Sequence, residues 1–282
     1  MTRIALFQSC TGIDPAENAA VMVRAIEEAA QGGAAMLFTP EMSGFLDRDK
    51  KRAAANVRME DDDEVLAACR AAAKRSGIWV HLGSLAIKTE GKRANRAFVI
   101  DSEGEIRARY DKMHLFDVDL PTGESWRESA VYGAGSESVA VEGTPVGRLG
   151  LAICYDVRFP ALFERLSEAG AQVISVPAAF TVPTGKAHWE VLLRARAIEA
   201  GVFVVAAAQG GRHEDGRETY GHSLVIDPWG EVLLDMEDRN GVAFAINVFR
   251  SPKVYRVDPR VAPYIENSET GVGLALALQT RT

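Results

Sequence analysis

Short apolar runs alternate with amphipathic segments along the chain, and this alternation limits the possible folds more than any other feature of the sequence. Apolar runs bounded by turn residues are typical of buried strands, whereas apolar residues at helical spacing are typical of amphipathic helices. Each half of the chain follows the order strand, helix, strand, helix, strand and then hairpins. This order predicts an α/β fold of two mixed sheets that pack face to face, with the helices outside.

Local signals place some of the segment boundaries. Asp14 is a favourable N-cap residue, and Pro15 after it suits the first position of a helix. The spacing of apolar residues predicts a later helix over residues 187–200. The polar stretch 117–135 shows no periodicity and is predicted to be a long loop, a kind of segment that often carries function.

The composition argues against several classes of protein. With 282 residues, 47% of them hydrophobic, the chain can bury a large core, and we predict a single domain over residues 1–282. A net charge of −7 gives no reason to expect a nucleic-acid partner, since such proteins usually carry basic patches. No apolar run approaches the roughly 20 residues that a membrane span needs. The N-terminal residues are expected to form a strand and not a signal peptide.

The cysteine count indicates a reducing compartment. Cys10, Cys69 and Cys154 are odd in number and far apart, which argues against a disulfide framework and predicts a cytoplasmic protein. Cysteine and histidine spacings typical of zinc sites are missing, so we expect no metal. Glycine-rich phosphate-binding loops are missing as well, so we expect no cofactor.

Three strand-like segments are each followed by a residue that can take part in catalysis. Glu41 follows an apolar run, Lys112 follows the strand-like residues 105–110, and Cys154 follows the apolar residues 149–153. Chemistry in open α/β folds collects where strands end. Each residue also has a structural interpretation, because Glu41 could cap a helix, Lys112 could be solvated and Cys154 could be an inert core residue.

Taken together with their flanking motifs, these three residues resemble the Glu-Lys-Cys triad of the carbon–nitrogen hydrolase, or nitrilase, superfamily. The resemblance covers about residues 3–250 and implies a four-layer α-β-β-α sandwich of two mixed sheets. It also implies an amidase that needs no cofactor and forms a cysteine thioester. Cys154 would be the nucleophile, favoured as a thiolate by the nearby cation, and Glu41 would be the general base and acid. Lys112 and the backbone N–H of Tyr155 would stabilise the oxyanion.

Members of the superfamily often carry a second glutamate in the loop after the lysine. Glu128 matches this residue and is predicted to support Lys112. A surface carboxylate without a catalytic role is the structural alternative, and Glu124 is the nearest competitor for the same role.

The segments 110–119, 180–190, 205–213 and 220–230 look like the deaminated glutathione amidase branch of the superfamily. The sister branch is ω-amidase, which acts on α-ketoglutaramate, and an N-carbamoyl amidohydrolase is a further alternative. Residues 205–213 favour the first branch. The expected reaction converts a small carboxylate-bearing amide to an acid and ammonia.

Substrates of both branches carry a carboxylate, so the pocket is expected to hold a cation. Arg158 is the candidate because guanidinium binds carboxylate with two hydrogen bonds, although it could instead be structural. Phe180 and Thr184 are predicted to line the pocket, and the ring of Tyr155 is predicted to add to it. His114, His188 and His222 are expected to be structural, because the triad already supplies acid, base and nucleophile.

Other expectations concern assembly and alternative functions. The resemblance and the frequency of two-fold assemblies predict a homodimer or higher homo-oligomer, with the tail 251–282 as a segment that contacts a partner subunit. A binding protein with an inactive pocket is the non-enzymatic alternative. Oxidation of Cys154 as a redox sensor would accompany catalysis and not replace it.

Overall fold

The computed structural model describes residues 2–119, 123 and 125–247. The tail 251–282 and Glu124, both named above, lie outside the described residues. The strands are β1 (Thr2–Gln8), β2 (Met36–Phe38), β3 (Trp79–Ile87), β4 (Ala94–Ile100), β5 (Ile106–Asp111), β6 (Asp117–Asp119), β7 (Ser125–Arg127), β8 (Ala140–Thr144), β9 (Gly147–Leu151), β10 (Val173–Ser175), β11 (Phe203–Ala206), β12 (Gly210–Arg212), β13 (Glu218–Tyr220), β14 (Leu224–Ile226), β15 (Val232–Asp235) and β16 (Gly241–Asn247).

The α-helices are α1 (Pro15–Gln31), α2 (Lys50–Asn56), α3 (Glu64–Ser76), α4 (Pro160–Glu168) and α5 (Val182–Ala200). Short 3₁₀ helices are η1 (Glu60–Asp62), η2 (Glu128–Ala130) and η3 (Cys154–Arg158). The start of α1 agrees with the sequence prediction, because the Asp14 carboxylate accepts hydrogen bonds from the N–H groups of Ala16 and Glu17. Such an N-cap stabilises a helix by about 1 kcal/mol.

Two six-stranded mixed sheets form the centre of the molecule. The first has the order β16-β1-β2-β3-β4-β5, in which β1, β2 and β3 are parallel and the others antiparallel. The second has the order β15-β14-β11-β10-β9-β8, with β9, β10 and β11 parallel. The same arrangement of parallel strands inside antiparallel edges therefore occurs twice.

A continuous apolar core joins the two sheets. Leu6 and Phe38 from the first sheet share one buried cluster with Leu151, Ile174 and Val205 from the second. Burial of each side chain of this size stabilises the fold by about 1.5–3 kcal/mol. Successive side chains of a strand point to opposite faces of its sheet. Each sheet lies between two other layers, so both of its faces are buried and both carry apolar side chains.

Helices cover the outer face of each sheet. Ile26 on α1 and Cys69 on α3 pack with Leu37 of the first sheet. Phe163 on α4 and Leu193 on α5 pack against the second sheet. The layers are therefore helix, sheet, sheet and helix, and the predicted α-β-β-α sandwich is confirmed.

Some elements differ from the sequence predictions. Helix α5 begins at Val182 and not at residue 187, because Pro183 falls in the first turn, where its missing N–H removes no helical hydrogen bond. The stretch 117–135 is not a plain loop, since β6 and β7 form a small hairpin that leads into η2. Helix α2 was not predicted, because its polar, alanine-rich sequence buries only Ala53 and shows no apolar stripe.

Candidate active site

The structure brings Glu41, Lys112 and Cys154 together where strands of both sheets end. Glu41 lies after β2 and Lys112 directly after β5, both in the first sheet, whereas Cys154 opens η3 after β9 of the second sheet. The three residues are 4%, 2% and 8% exposed, respectively. A buried lysine at such a position needs charged partners, because an isolated charge is costly to remove from water.

Lys112 is held between two carboxylates. Its Nζ lies 2.8 Å from Oε1 of Glu41 and 3.0 Å from Oε2 of Glu128. Burial alone would lower the pKa of Lys112, but the charges of Glu128 and Glu41 outweigh burial and raise that pKa well above its usual value. The side chain is therefore a fixed ammonium and can serve as a hydrogen-bond donor to developing negative charge.

The carboxylate of Glu41 is fixed on both oxygens. Oε1 accepts hydrogen bonds from Lys112 and from Nδ2 of Asn95 at 2.9 Å, and Oε2 accepts the N–H of Ala179 at 3.0 Å. The backbone carbonyl of Glu41 accepts a further bond from Gln209. This network leaves the carboxylate little freedom to rotate, and it links the first sheet to the segment that follows β10.

The backbone at Cys154 is held in the left-handed region. Its φ is +50°, which is rare for a residue with a side chain and costs of order 1–3 kcal/mol. The Cys154 N–H donates to the carbonyl of Pro177 at 2.8 Å. The following N–H, that of Tyr155, donates to no acceptor in the described part of the chain. A sharp turn of this kind presents both the thiol and a free donor to a substrate.

Opposing effects act on the thiol of Cys154. Lys112 lowers the pKa of Cys154, as expected of a nearby cation, but burial and the charge of Glu41 outweigh it. The pKa of Cys154 is therefore raised well above its usual value, and the resting thiol is neutral. A general base is needed to generate the thiolate when substrate binds.

Glu128 lies in the first turn of η2 and faces the same lysine. Its Oε2 accepts the N–H of Phe116 at 2.7 Å, and its Oε1 accepts Nδ2 of Asn95 at 3.1 Å. Asn95 thus bridges the two carboxylates on either side of Lys112. Asn95 could not be singled out from the sequence, because an asparagine in a predicted strand has many possible roles.

Asp156 is a second residue that the sequence analysis missed, although it lies in the cysteine motif. It is fully buried and accepts the hydroxyl of Tyr110 at 2.7 Å and the N–H of Ile153 at 2.8 Å. It also lies 2.7 Å from Nδ1 of His114. These contacts fix the turn that carries Cys154.

A cavity of about 900 Å³ opens over the triad. Its wall includes Glu128 and the predicted pocket residues Tyr155, Phe180 and Thr184. Arg158 is not on that wall. Its guanidinium lies 5.7 Å from the ring centre of Tyr155 and 5.9 Å from that of Phe180.

Two of the histidines that were expected to be structural have partners away from the cavity wall. Nδ1 of His188 lies 3.2 Å from a guanidinium nitrogen of Arg158, and His222 pairs with Asp235. In the described part of the chain, no group of three or more His, Cys, Asp or Glu side chains is arranged to hold a metal ion. None of the described helices combines the length and the apolar character that crossing a membrane requires.

Comparison with known proteins places this geometry in context. The sequence profile described as carbon-nitrogen hydrolase matches residues 3–245. The chain is 41% identical to deaminated glutathione amidase of Yersinia enterocolitica over 234 residues, which cover 82% of this chain and 81% of that protein. It is 38% identical to deaminated glutathione amidase of Homo sapiens over 249 residues, 86% of this chain and 75% of the relative.

A fusion protein is also similar. The nitrilase and fragile histidine triad fusion protein NitFhit of Caenorhabditis elegans is 43% identical over 245 residues, which are 86% of this chain but only 56% of the fusion protein. Its crystal structure superposes with a TM-score of 0.83 at 39% identity, covering 95% of this chain and 65% of that one.

An amidase from Nesterenkonia sp. AN1 has the same fold. A mutant of it, with acrylamide added to the active-site cysteine, gives a TM-score of 0.77 at 27% identity and covers 94% of this chain and 99% of its own.

Proposed function

Because the chain belongs to the carbon–nitrogen hydrolase family and is an amidase, we propose that Glu41, Lys112 and Cys154 are its catalytic triad and that deaminated glutathione is its substrate. The observation that carries the triad assignment is the fixed ammonium of Lys112, held by two carboxylates at the mouth of the turn that bears Cys154. A nucleophile, a base and an oxyanion donor are the groups that amide hydrolysis requires.

In the first step, Sγ of Cys154 attacks the amide carbonyl carbon while Glu41 takes the thiol proton. The neutral resting thiol makes this proton transfer necessary. Negative charge then develops on the carbonyl oxygen, where Nζ of Lys112 and the N–H of Tyr155 donate hydrogen bonds. Removal of one such donor typically raises the barrier by about 3–4 kcal/mol.

In the second step, Glu41 delivers the proton to the leaving nitrogen, the C–N bond breaks, and the acyl group remains on Cys154 as a thioester. Glu41 then removes a proton from water, which attacks the thioester. The acid leaves, and the thiol regains its proton. Glu128 takes no proton in this scheme and fixes Lys112 between steps.

The substrate determines the identity of the amine that leaves. A primary amide such as α-ketoglutaramate releases ammonia. Deaminated glutathione has only secondary amides, so cleavage next to the 2-oxo acid releases cysteinylglycine. The expectation that ammonia is released therefore applies only to α-ketoglutaramate. Both substrates place the same 2-oxoglutaryl group on Cys154.

We propose that the acyl group lies against Tyr155, Phe180 and Thr184. The first turn of α5 lines the cavity there, and the N-terminal end of a helix favours negative charge. Arg158 lies behind the cavity wall, with its guanidinium over the rings of Tyr155 and Phe180, and its positive charge acts across these rings. In this proposal it acts on the acyl carboxylate over a distance and not by direct contact.

Further proposals concern the whole protein. The family profile covers residues 3–245 and supports a single domain. A homodimer or higher homo-oligomer and a cytoplasmic location remain proposals that rest on the resemblance and on the cysteine content.

The test offers purified protein deaminated glutathione and α-ketoglutaramate side by side, with Cys154→Ala as the blank. The proposal is supported if kcat/KM is higher for deaminated glutathione than for α-ketoglutaramate, with 2-oxoglutarate and cysteinylglycine as the products of deaminated glutathione. A higher value for α-ketoglutaramate, measured by ammonia, would assign the chain to ω-amidase instead. Mass spectrometry of the quenched enzyme should find the acyl group on Cys154, and an acyl group elsewhere would refute the nucleophile assignment.

A further inference from the structure

Selectivity between the two substrates must come from the part of the cavity that binds the leaving amine. Deaminated glutathione and α-ketoglutaramate share their acyl half, so contacts near Phe180 and Thr184 bind both equally. Deaminated glutathione differs in having a leaving group that ends in a second carboxylate. A site that recognises it should therefore lie away from the acyl pocket and carry positive charge.

Two arginines at the cavity wall meet these conditions. The guanidinium of Arg48 lies 5.4 Å from the ring centre of Trp126, and that of Arg217 lies 5.7 Å from the same centre. All three residues line the cavity. Two like charges placed on one aromatic ring repel each other, and an anion bound between them would remove that repulsion.

The charges of these arginines are only partly neutralised. Nε of Arg217 pairs with Asp215 at 2.8 Å, which leaves its terminal nitrogens available. Among the described residues, no carboxylate lies within ion-pair distance of Arg48. Arg127, by contrast, binds both oxygens of Asp119 at 2.9 Å and has no guanidinium edge left for a ligand.

Nearby carboxylates do not remove the positive character of the pair. Asp47 is bound by Arg52 at 2.6 Å, so its charge is already compensated. Glu218 also lines the cavity, is exposed, and remains as an opposing charge. Lys50 on the same wall offsets it.

A chain of aromatic contacts connects this site with the nucleophile. The ring of Tyr155, next to Cys154, lies 5.2 Å from the ring of Phe116, which lies 6.2 Å from Trp126. An extended dipeptide spans about 7 Å. This length exceeds the first ring-to-ring step but not both steps together. A cysteinylglycine leaving group that follows the aromatic wall therefore carries its terminal carboxylate past Phe116 towards Trp126, where the two guanidinium groups lie.

We propose that Arg48 and Arg217 bind the terminal carboxylate of a peptide-like leaving group, with Trp126 as the platform between them. This inference rests on the proposed function and adds the determinant that selects a dipeptide amine over ammonia. The same hairpin and turn carry Trp126 and Glu128, so a bound leaving group also contacts the segment that holds Lys112.

The experiment compares kcat/KM for deaminated glutathione and for the same molecule with its terminal carboxylate capped as an amide. The full-length protein should prefer the free acid by about 10- to 100-fold, the range for a hydrogen bond to a charged group. Arg48→Gln, Arg217→Gln and the double variant should reduce this ratio, chiefly through KM for the free acid. Arg48→Lys should recover part of it, since charge is kept and the guanidinium fork is lost.

Lys50→Gln is the matched control, because it removes a cation from the same wall without touching Trp126. A similar fall in the ratio for Lys50→Gln would mean general electrostatic attraction and would overturn the site. An unchanged ratio in the double arginine variant would also overturn it, as would a parent enzyme that does not distinguish the free acid from the capped form. In those cases deaminated glutathione is still hydrolysed and the proposed function stands. If the parent hydrolyses only α-ketoglutaramate, the proposed function itself fails.

Discussion

At the scale of single residues, the candidate site is built on the balance of charge around Lys112. One ammonium between two carboxylates is buried with a net negative charge, and the hydrogen bonds of Asn95 to both carboxylates help to stabilise it. Removal of one member of such a cluster leaves an uncompensated buried charge, which is costlier than the loss of a surface ion pair.

Lys112→Met should therefore destabilise the protein by about 3–5 kcal/mol as well as abolish activity. The double variant Lys112→Met with Glu128→Gln removes one of the two opposed carboxylates and should recover part of the lost stability without restoring activity. Urea unfolding of the parent, the single and the double variants provides the measurement. A loss below about 1 kcal/mol for Lys112→Met would show that the cluster does not contribute as described.

At the scale of elements, close approach between β3 and the segment after β2 positions Glu41, the proposed general base. Gly83 in β3 lies very near residues 39–40, which follow β2. A Cβ atom added to Gly83 would be 2.1 Å from the carbonyl oxygen of Thr39 and 2.5 Å from that of Pro40. Both contacts are with backbone, which cannot move aside as a side chain can. The residue that follows Pro40 is Glu41.

Gly83→Ala is expected to displace residues 39–41, to lower kcat and to destabilise the fold by about 1–3 kcal/mol. Gly91→Ala is the control, because a Cβ at that position meets nothing within 4 Å. Steady-state kinetics and thermal unfolding of both variants would test this. Normal kcat in Gly83→Ala would contradict the role assigned to the strand contact.

The interface between the sheets also contains a buried histidine. His81 of β3 is fully buried, and its Nε2 lies 3.1 Å from the hydroxyl of Ser175 in β10. Burial lowers the pKa of His81 to about 3. The unfolded chain binds a proton at this residue below about pH 6.5, whereas the folded protein does not.

Stability should consequently fall as the pH drops from about 6.5 towards 3, and His81 alone should account for about 2 kcal/mol between pH 6.5 and 4.5. Replacement by glutamine keeps a polar partner for Ser175 and removes the titration. The free energy of unfolding, plotted against pH, should then have a shallower slope in His81→Gln. Parallel plots for the two proteins would rule out this contribution.

The elements differ in how well the sequence predicted them. The start of α1 was predicted because Asp14 and Pro15 act locally and need no tertiary partner. The start of α5 was not, since its first turn has no apolar repeat and forms against the rest of the site. Asn95 and Asp156 were not predicted as site residues, because their roles depend on partners that are distant in sequence. Apart from α2 and the β6–β7 hairpin, the order of strands and helices was predicted correctly, because it follows from the repeated apolar pattern.

At the scale of the whole molecule, the two sheets share one apolar core and should unfold together. Cys69 reports on the outer helical layer of the first sheet, where burial raises the pKa of its thiol to about 12. If the proposed triad is correct, activity requires both sheets, because Glu41 and Lys112 come from one and Cys154 from the other.

In a Cys10→Ser background, which removes the exposed thiol, labelling of Cys69 is measured on its own peptide, so that labelling of Cys154 is not counted. It should follow the same urea dependence as the loss of activity and of circular dichroism. Coincident curves would indicate one cooperative unit. Labelling of Cys69 at a lower urea concentration than the loss of activity would show that the outer helices open separately.

Because the proposed triad combines residues from two sheets, the catalytic rate should depend on how the sheets are aligned. A shift of about 1 Å in reacting groups can cost roughly 100-fold in rate. Any event that slides one sheet against the other would change the position of Cys154 relative to Glu41 without altering either residue. Substitutions deep in the shared core can thus change the turnover rate, although they lie far from the substrate.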